Sequence, residues 1–172
     1  MKYLIASDIH GSAYYCRRLI DAYRSEQAER LILLGDLLYH GPRNDLPRDY
    51  APKEVISMLN ALKNEILAIR GNCEAEVDQM VLEFPVLAEY AVLALESGLT
   101  VYLTHGHHYN IDAPLPMKEG DIMIYGHTHV PLDETRGGIR FLNPGSVSIP
   151  KNGSGHGYII LENGVFTYKT LD

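Results

Sequence analysis

Short apolar runs occur at intervals along this chain, and they predict its β-strands. A strand buried on both faces reads as a continuous apolar run of about four to eight residues. Five such runs end just before a polar motif, and they cover residues 3–6, 31–34, 66–69, 99–103 and 122–125. Within three residues of each run comes an Asp, an Asn or a His. The pattern therefore places polar side chains at the ends of five predicted strands.

The first half of the chain alternates these runs with helical patterns. Residues 13–27 carry apolar side chains at helical spacing, and so do residues 52–63, which begin with a proline suited to a first turn. Strand, helix, strand, helix and strand in this order indicate parallel pairing through right-handed crossovers.

Strand signals follow one another more closely in the second half. They cover residues 90–95, 99–104, 122–125, 139–142, 157–161 and 166–170, with turn signals at 96–98, 136–138 and 162–164. The last of these turns predicts a hairpin. The order predicts an α/β fold, a two-sheet αββα sandwich with a parallel βαβαβ first half and a mixed or antiparallel second half. The loops at 41–52 and 110–120 are expected near the edge that carries the polar motifs.

Length, charge and composition argue against a nucleic-acid-binding, membrane-spanning or disulfide-rich protein. The chain has 172 residues and a formal net charge of −7, so we expect a single domain, residues 1–172, without an extended nucleic-acid surface. No apolar run is long enough to span a membrane, and the first run is too short for a signal-peptide core. Two cysteines are too few for a disulfide framework. We expect a cytoplasmic protein, with Cys16 in the core of the first helix.

The polar strand ends are candidate metal ligands. Taken singly, each has a structural explanation, because Asp and His cap helices and Asn suits tight turns. Taken together, five strand ends deliver carboxylate, amide and imidazole groups to one edge of an α/β sheet, where ligands gather. The sequence thus predicts a dinuclear metal site built from Asp8, His10, Asp36, Asn72, His105, His127 and His129.

The same motifs resemble those of the calcineurin-like metallophosphoesterase superfamily, and within it the small bacterial YfcE-like phosphodiesterases. They are D-I-H at 8–10, G-D at 35–36, G-N-C-E at 71–74, H-G-H at 105–107 and G-H-T-H at 126–129. H-G-P-R-N at 40–44 and N-P-G-S-V-S at 143–148 resemble the narrower group. The resemblance covers nearly the whole chain. It implies an α/β sandwich that carries two metal ions, with manganese preferred.

The resemblance also implies how the ligands divide. Asp8, His10, Asp36 and His129 would hold one ion, and Asn72, His105 and His127 the other, with Asp36 bridging them. Nitrogen and oxygen ligands suit Mn, Fe, Zn or Ni better than Ca or Mg. Two such ions would activate a shared water for attack on phosphorus, so that no protein nucleophile is needed. Asp36, Asn72 and His105 would then act in catalysis.

Two further residues are candidates for a catalytic role. Cys73 stands where many superfamily members have His, and it is either part of the reacting site or a small apolar filler. Arg43 suits bidentate contact with a phosphate oxygen, although an ion pair with Asp45 or Asp49 is the alternative. His40 and His107 are expected to line the pocket.

We therefore expect a metal-dependent phosphodiesterase that acts on a small-molecule phosphoester, without nucleic acid or membrane as a partner. A phosphomonoesterase or nucleotide phosphatase would share the same site. A non-catalytic scaffold, such as the similar retromer subunit, is a rival class, but its site is degenerate and this one is intact. A nuclease of the double-strand-break repair type needs more chain than 172 residues leave. We also expect a homo-oligomer, a dimer or higher.

Overall fold

The computed structural model describes residues 1–171, which form ten strands and three helices. The helices are α1 (Ala13–Ser25), α2 (Pro52–Asn60) and α3 (Glu76–Val81). The strands are β1 (Lys2–Ala6), β2 (Arg30–Leu33), β3 (Ile66–Ala68), β4 (Tyr90–Ala94), β5 (Thr100–Thr104), β6 (Ile122–Ile124), β7 (Pro131–Arg136), β8 (Ile139–Pro144), β9 (Gly157–Glu162) and β10 (Val165–Thr170).

The strands form two five-stranded mixed sheets, which confirms the predicted sandwich. The first has the order β10-β9-β1-β2-β3, and β1, β2 and β3 are parallel as predicted. The second has the order β4-β5-β6-β8-β7, with β5, β6 and β8 parallel between antiparallel edge strands. The predicted hairpin joins β9 to β10 through Asn163 and Gly164, whose φ angles of 51° and 79° suit a two-residue primed turn.

Two apolar layers explain why the strands read as continuous apolar runs. On β1, Leu4 packs under the helices, whereas Ile5 packs between the two sheets. Because successive side chains of a strand point to opposite faces, a strand covered on both sides needs apolar residues throughout. Cys16 is fully buried on α1, as predicted.

Several boundaries and placements differ from the sequence prediction. Helix α1 ends at Ser25 instead of residue 27, and α2 ends at Asn60, where turns replace the predicted last helical residues. Helix α3 was not predicted, because it is short and none of its residues is buried. Strand β7 was missed since its sequence P-L-D-E-T-R is polar, as suits an edge strand.

The loop at 110–120, which we expected near the edge that carries the polar motifs, packs against the second sheet. Its apolar side chains cover the outer face of the second sheet and do not line the cavity at the strand ends. This packing joins Ile111, Leu115 and Met117 to Met123, Tyr125 and Phe141. Within residues 1–171, none of the helices combines the length and apolar character that crossing a membrane requires.

Candidate metal centre

The seven predicted ligands come together at the carboxyl ends of five strands. Strands β1, β2 and β3 bring Asp8, Asp36 and Asn72, and strands β5 and β6 bring His105 and His127. A cavity of about 840 Å³ opens at this edge, and its lining includes His10, Asp36, Asn72, His127 and His129. Asp8 and His105 are buried beneath that wall.

A first group of ligand atoms surrounds Asp8. Its Oδ1 lies 3.4 Å from His10 Nε2 and 3.2 Å from His129 Nε2. The two imidazole nitrogens are 3.2 Å apart. All three residues are at most 3% exposed, so the atoms face one another away from bulk water.

A second group surrounds His105. Its Nε2 lies 3.1 Å from Asn72 Oδ1 and 3.3 Å from His127 Nδ1. Asp36 lies between the two groups, because its Oδ2 is 3.5 Å from His105 Nε2 and 3.7 Å from His10 Nε2. The structure thus brings all seven predicted residues into two clusters that meet at one carboxylate.

The chemistry of the first group fits a cation. The Nδ1–H groups of His10 and His129 donate to the carbonyl oxygens of Tyr39 and Ile149, both at 2.8 Å. In the neutral rings the two facing Nε2 atoms therefore carry lone pairs and cannot hydrogen-bond to each other. Asp8 Oδ1, which faces both, is buried without a hydrogen-bond partner in the described chain. A cation placed between these three atoms would satisfy all of them at once.

The second group has the same design. The Nδ1–H of His105 donates to the Leu34 carbonyl oxygen at 2.7 Å. In the neutral ring, Nε2 therefore carries a free lone pair. Backbone carbonyls that fix the ring tautomer are typical partners of metal-binding histidines. We infer that both groups are arranged to hold divalent metal ions.

The carboxylates and imidazoles shift each other's pKa. Burial alone would lower the pKa of His105, but Asp36 and Asp8 outweigh it and raise the pKa to about 9. Burial alone would also lower the pKa of His10, but Asp8 outweighs it and raises this pKa. Burial alone would raise the pKa of Asp36, but the hydrogen bond and charge of His105 outweigh it and lower this pKa. In the metal-free protein the neighbouring carboxylates therefore favour a proton on the ring of His105.

Five of the seven ligand residues adopt the left-handed backbone conformation, with φ between 50° and 65°. This region is uncommon outside glycine and costs on the order of 1–3 kcal/mol per residue. Backbone hydrogen bonds hold the strained loops, since Asp8 N–H donates to Gly35 O and His10 N–H donates to Asp36 O. The strain lies where side chains must turn into the site, at Asp8, His10, Asp36, His127 and His129.

A buried carboxylate supports the ligand loops and was not singled out from the sequence. Glu74 Oε2 accepts the backbone N–H groups of Asp36 at 2.8 Å and Gly71 at 2.5 Å, while Oε1 accepts that of Leu37 at 2.7 Å. Burial and the charge of Asp36 raise its pKa to about 7. Its position in the G-N-C-E motif was the only sequence signal for Glu74. Its supporting role depends on contact between the turn after β3 and the turn after β2, which the sequence does not show.

Glycine is required at position 71 of the same turn. A Cβ atom there would lie 2.1 Å from Asp36 Oδ1 and 2.7 Å from Glu74 Oε2. Both distances are far below van der Waals contact, so any side chain would displace the carboxylate at the centre of the site.

Two basic side chains line the cavity beside the ligands. Arg43 lies on its wall, and in residues 1–171 it forms no ion pair with Asp45 or Asp49, the second of which pairs with Arg17. Lys151 is the other, and sequence reasoning missed it because a lone loop lysine carries no signal. Its backbone N–H donates to the carbonyl oxygen of His129 at 3.0 Å, which anchors it next to a ligand.

The remaining histidines differ in their surroundings. His107 is half-buried, with its ring centroid 5.3 Å from that of His105. Both His107 and His40 were predicted to line the cavity, but neither is among its lining residues. The ring of His40 packs on Tyr39 and Tyr50.

Comparison with known proteins agrees with this geometry. Residues 1–164 match the calcineurin-like phosphoesterase superfamily domain. The chain belongs to this family. It is 44% identical over 172 residues to phosphodiesterase YfcE of Escherichia coli, covering 100% of this chain and 93% of YfcE. The YfcE structure, described as that of a phosphoesterase, superimposes with a TM-score of 0.96 and covers 100% of this chain and 94% of its own.

More distant relatives share the family or the fold. A phosphodiesterase of Methanocaldococcus jannaschii is 27% identical over 153 residues, 84% of this chain and 83% of its own. Zinc-bound Vps29 of Entamoeba histolytica shares the fold, with 21% identity, a TM-score of 0.58, and coverage of 98% of this chain and 97% of its own. Family membership implies divalent metal ions, and the two ligand groups offer the residues for them.

Cys73 lies next to Asn72 in the turn that meets Asp36. It is half-buried and lines the cavity, and its backbone N–H donates to Asp36 Oδ1 at 2.9 Å. Burial and the negative charge of Asp36 both raise the pKa of its thiol. Cys73 is therefore a neutral thiol at physiological pH in the metal-free protein.

Proposed function

We propose that this protein is a phosphodiesterase that hydrolyses small organic phosphodiesters at a site for two divalent metal ions. The observation that carries the proposal is Asp36 between two groups of metal-ligand atoms, one of them with facing imidazole lone pairs. Homology to proteins named phosphodiesterases supports the choice of reaction.

Asp8, His10, Asp36 and His129 would hold one ion, and Asn72, His105 and His127 would hold the other, with Asp36 shared. Two bound ions supply a Lewis acid for phosphoryl oxygens and a water that ionises near neutral pH. The mixed nitrogen and oxygen ligands suit Mn, Fe, Zn or Ni. Manganese is our first choice, on the basis of the family resemblance.

The protein's own groups bind and orient the substrate. Arg43 offers a planar guanidinium to a phosphoryl oxygen, and no carboxylate of the described chain neutralises it. Lys151 adds a second positive charge on the wall of the same cavity. The strained backbone at the ligands fixes the donor atoms before substrate arrives, so little reorganisation is needed in the reaction.

The leaving group must receive its proton from a source other than an imidazole at position 73. In the metal-free protein, burial and the charge of Asp36 raise the pKa of the Cys73 thiol above its ordinary range, which disfavours a role as an efficient acid. The site therefore favours diesters whose alcohol or phenol leaves readily as an anion.

A phosphomonoesterase is the second candidate, and one observation favours it. Two cavity cations without carboxylate partners in residues 1–171, Arg43 and Lys151, match the double negative charge of a monoester. A scaffold function is disfavoured because all seven ligand residues are present and assembled.

The test compares bis(p-nitrophenyl) phosphate with p-nitrophenyl phosphate. Chelator-stripped protein would be reloaded separately with Mn²⁺, Fe²⁺, Zn²⁺ and Ni²⁺, and the bound metal would be counted. We expect about two Mn²⁺ ions per chain and faster turnover of the diester, highest with Mn²⁺. Folded, metal-loaded protein that hydrolyses neither ester above background would refute the proposal. A preference for the monoester would select the second candidate.

The cytoplasmic location, the lack of a nucleic-acid partner and the homo-oligomeric state remain predictions. Light scattering on purified protein tests the last of these, and a monomer would contradict it.

A further inference from the structure

A third cluster of metal-binding side chains lies outside the seven ligands. Glu89 precedes β4, and His107 and His108 follow β5. One ligand atom from each of the three residues lies within 4.8 Å of the other two. None of the three belongs to the two groups that meet at Asp36.

The spacing within this cluster suits a metal ion. Glu89 Oε2 lies 3.4 Å from His108 Nδ1. Two ligands of a tetrahedral ion with bonds of about 2.1 Å are separated by about 3.4 Å. The rings of His107 and His108 lie side by side, with centroids 3.9 Å apart and planes inclined by 37°. Two imidazoles and one carboxylate thus place their ligand atoms within 4.8 Å of one another.

A second observation concerns His107. Its Nδ1 atom is buried and lacks a hydrogen-bond partner within the described residues. Buried polar atoms are nearly always paired, so an unpaired one calls for an unseen partner such as an ion or a water molecule.

Arg70 sets the orientation of the carboxylate. Its Nη1 lies 3.6 Å from Glu89 Oε1, which leaves Oε2 directed at His108. The Arg70 backbone N–H also donates to Ala88 O at 2.8 Å and so fixes the segment before Glu89. The guanidinium charge will weaken cation binding, and we therefore expect lower affinity here than at the main site.

We propose that Glu89, His107 and His108 bind a third divalent transition-metal ion, of the kind that imidazole ligands prefer: Zn²⁺, Ni²⁺ or Cu²⁺. Three protein ligands leave at least one coordination position open to solvent. The ring of His107 is 6.2 Å from that of His127, so the third ion would lie beside the catalytic cavity. An ion pair between a charged His108 and Glu89 is the competing explanation of the same contact.

The experiment counts bound metal and does not depend on phosphodiesterase activity. Chelator-stripped full-length protein is dialysed to equilibrium against buffered Zn²⁺, and bound zinc is measured for wild type, His108→Ala and Glu89→Gln. Both side chains are largely exposed, at 62% and 46%, so the fold is expected to survive, and circular dichroism verifies it. Glu96→Gln, which changes an exposed carboxylate on the β4–β5 turn, is the matched control.

We expect wild type and Glu96→Gln to bind one zinc ion per chain more than either cluster variant at saturation. Equal stoichiometry in wild type and both cluster variants would overturn the proposal and leave the ion pair as the explanation. Loss of one ion in Glu96→Gln as well would also overturn it, because the weaker ion would then be bound non-specifically. Failure of the phosphodiesterase assay would leave the difference of one ion unaffected.

Discussion

Glu74 holds Asp36 in place through the backbone, since its buried Oε2 accepts the Asp36 N–H at 2.8 Å. The same carboxylate accepts the N–H groups of Leu37 and Gly71 and so joins the turns after β2 and β3. These turns carry Asp36, which lies between the two ligand groups, and Asn72, which belongs to the second. One side chain that belongs to neither ligand group therefore fixes the relative position of Asp36 and Asn72.

We expect Glu74→Gln to weaken both the fold and the site. One of its oxygens becomes an NH₂ group that faces a backbone donor, and a buried unsatisfied donor costs about 1–3 kcal/mol. Loss of a supporting partner of metal ligands typically lowers affinity or activity by about 10–100-fold. Thermal melting, metal content and turnover measure the three effects. Glu76→Gln, an exposed change on α3, is the control. Unchanged metal affinity in Glu74→Gln would contradict the positioning role.

Asp36→Asn is predicted to be more damaging than the replacement of any other ligand. Asp36 Oδ2 approaches His10 and His105, which belong to different ligand groups. Its loss should reduce metal content at both positions and lower activity by more than the roughly 100-fold expected for an outer partner. Turnover and metal analysis would be compared with those of His10→Ala and Asn72→Ala. If Asp36→Asn retained two ions while either of those variants lost more activity, Asp36 would not bridge.

The sequence predicted the polar side chains at the strand ends, but it did not predict the residues that support them or every strand. The ligands were predictable because strands buried on both faces are apolar throughout, so their polar ends stand out, as at Asp8 and His105. Glu74 and Lys151 were not, since their roles depend on loops that meet only in three dimensions. Strand β7 is an edge strand with polar residues and carried no apolar signal.

Lys151→Ala should weaken substrate binding without changing the chemistry. The side chain lines the cavity beside the ligand His129, but it belongs to neither metal-ligand group. A long-range positive charge steers and binds anions, so we expect KM for the diester to rise several-fold at low salt with kcat nearly constant. Steady-state kinetics at two salt concentrations test this, and Lys151→Arg should retain wild-type KM. A fall in kcat at constant KM would assign Lys151 to the chemical step.

Cys73→Ser is expected to leave most of the activity intact. In the metal-free protein the thiol is neutral because burial and Asp36 raise its pKa, so we expect it to serve neither as a nucleophile nor as an acid. Serine keeps the size and the backbone donor to Asp36. We expect turnover of bis(p-nitrophenyl) phosphate within about three-fold of wild type, well below the roughly 100-fold effect of losing a general acid. A loss approaching that larger factor would establish a direct role for the thiol.

Metal binding should become stronger with rising pH, while the metal-free protein becomes less stable. The neighbouring carboxylates raise the pKa of His105 to about 9, against an ordinary value of 6.5. The protonated ring therefore stabilises the metal-free fold below about pH 6.5, and this contribution is lost as pH rises through about 9. Metal ions need the neutral ring and must displace that proton, so their affinity increases over the same interval.

Thermal melting from about pH 7.5 to about pH 9 reports mainly on His105. Glu74, with a pKa of about 7, is already largely ionised in this range. With chelator, the melting temperature should fall across this range. With saturating Mn²⁺, the increase over the chelated sample should grow. His105→Asn should flatten both trends, since an amide does not titrate. A melting temperature of the chelated protein that rises with pH would show that the proton does not occupy the position we assign to the metal.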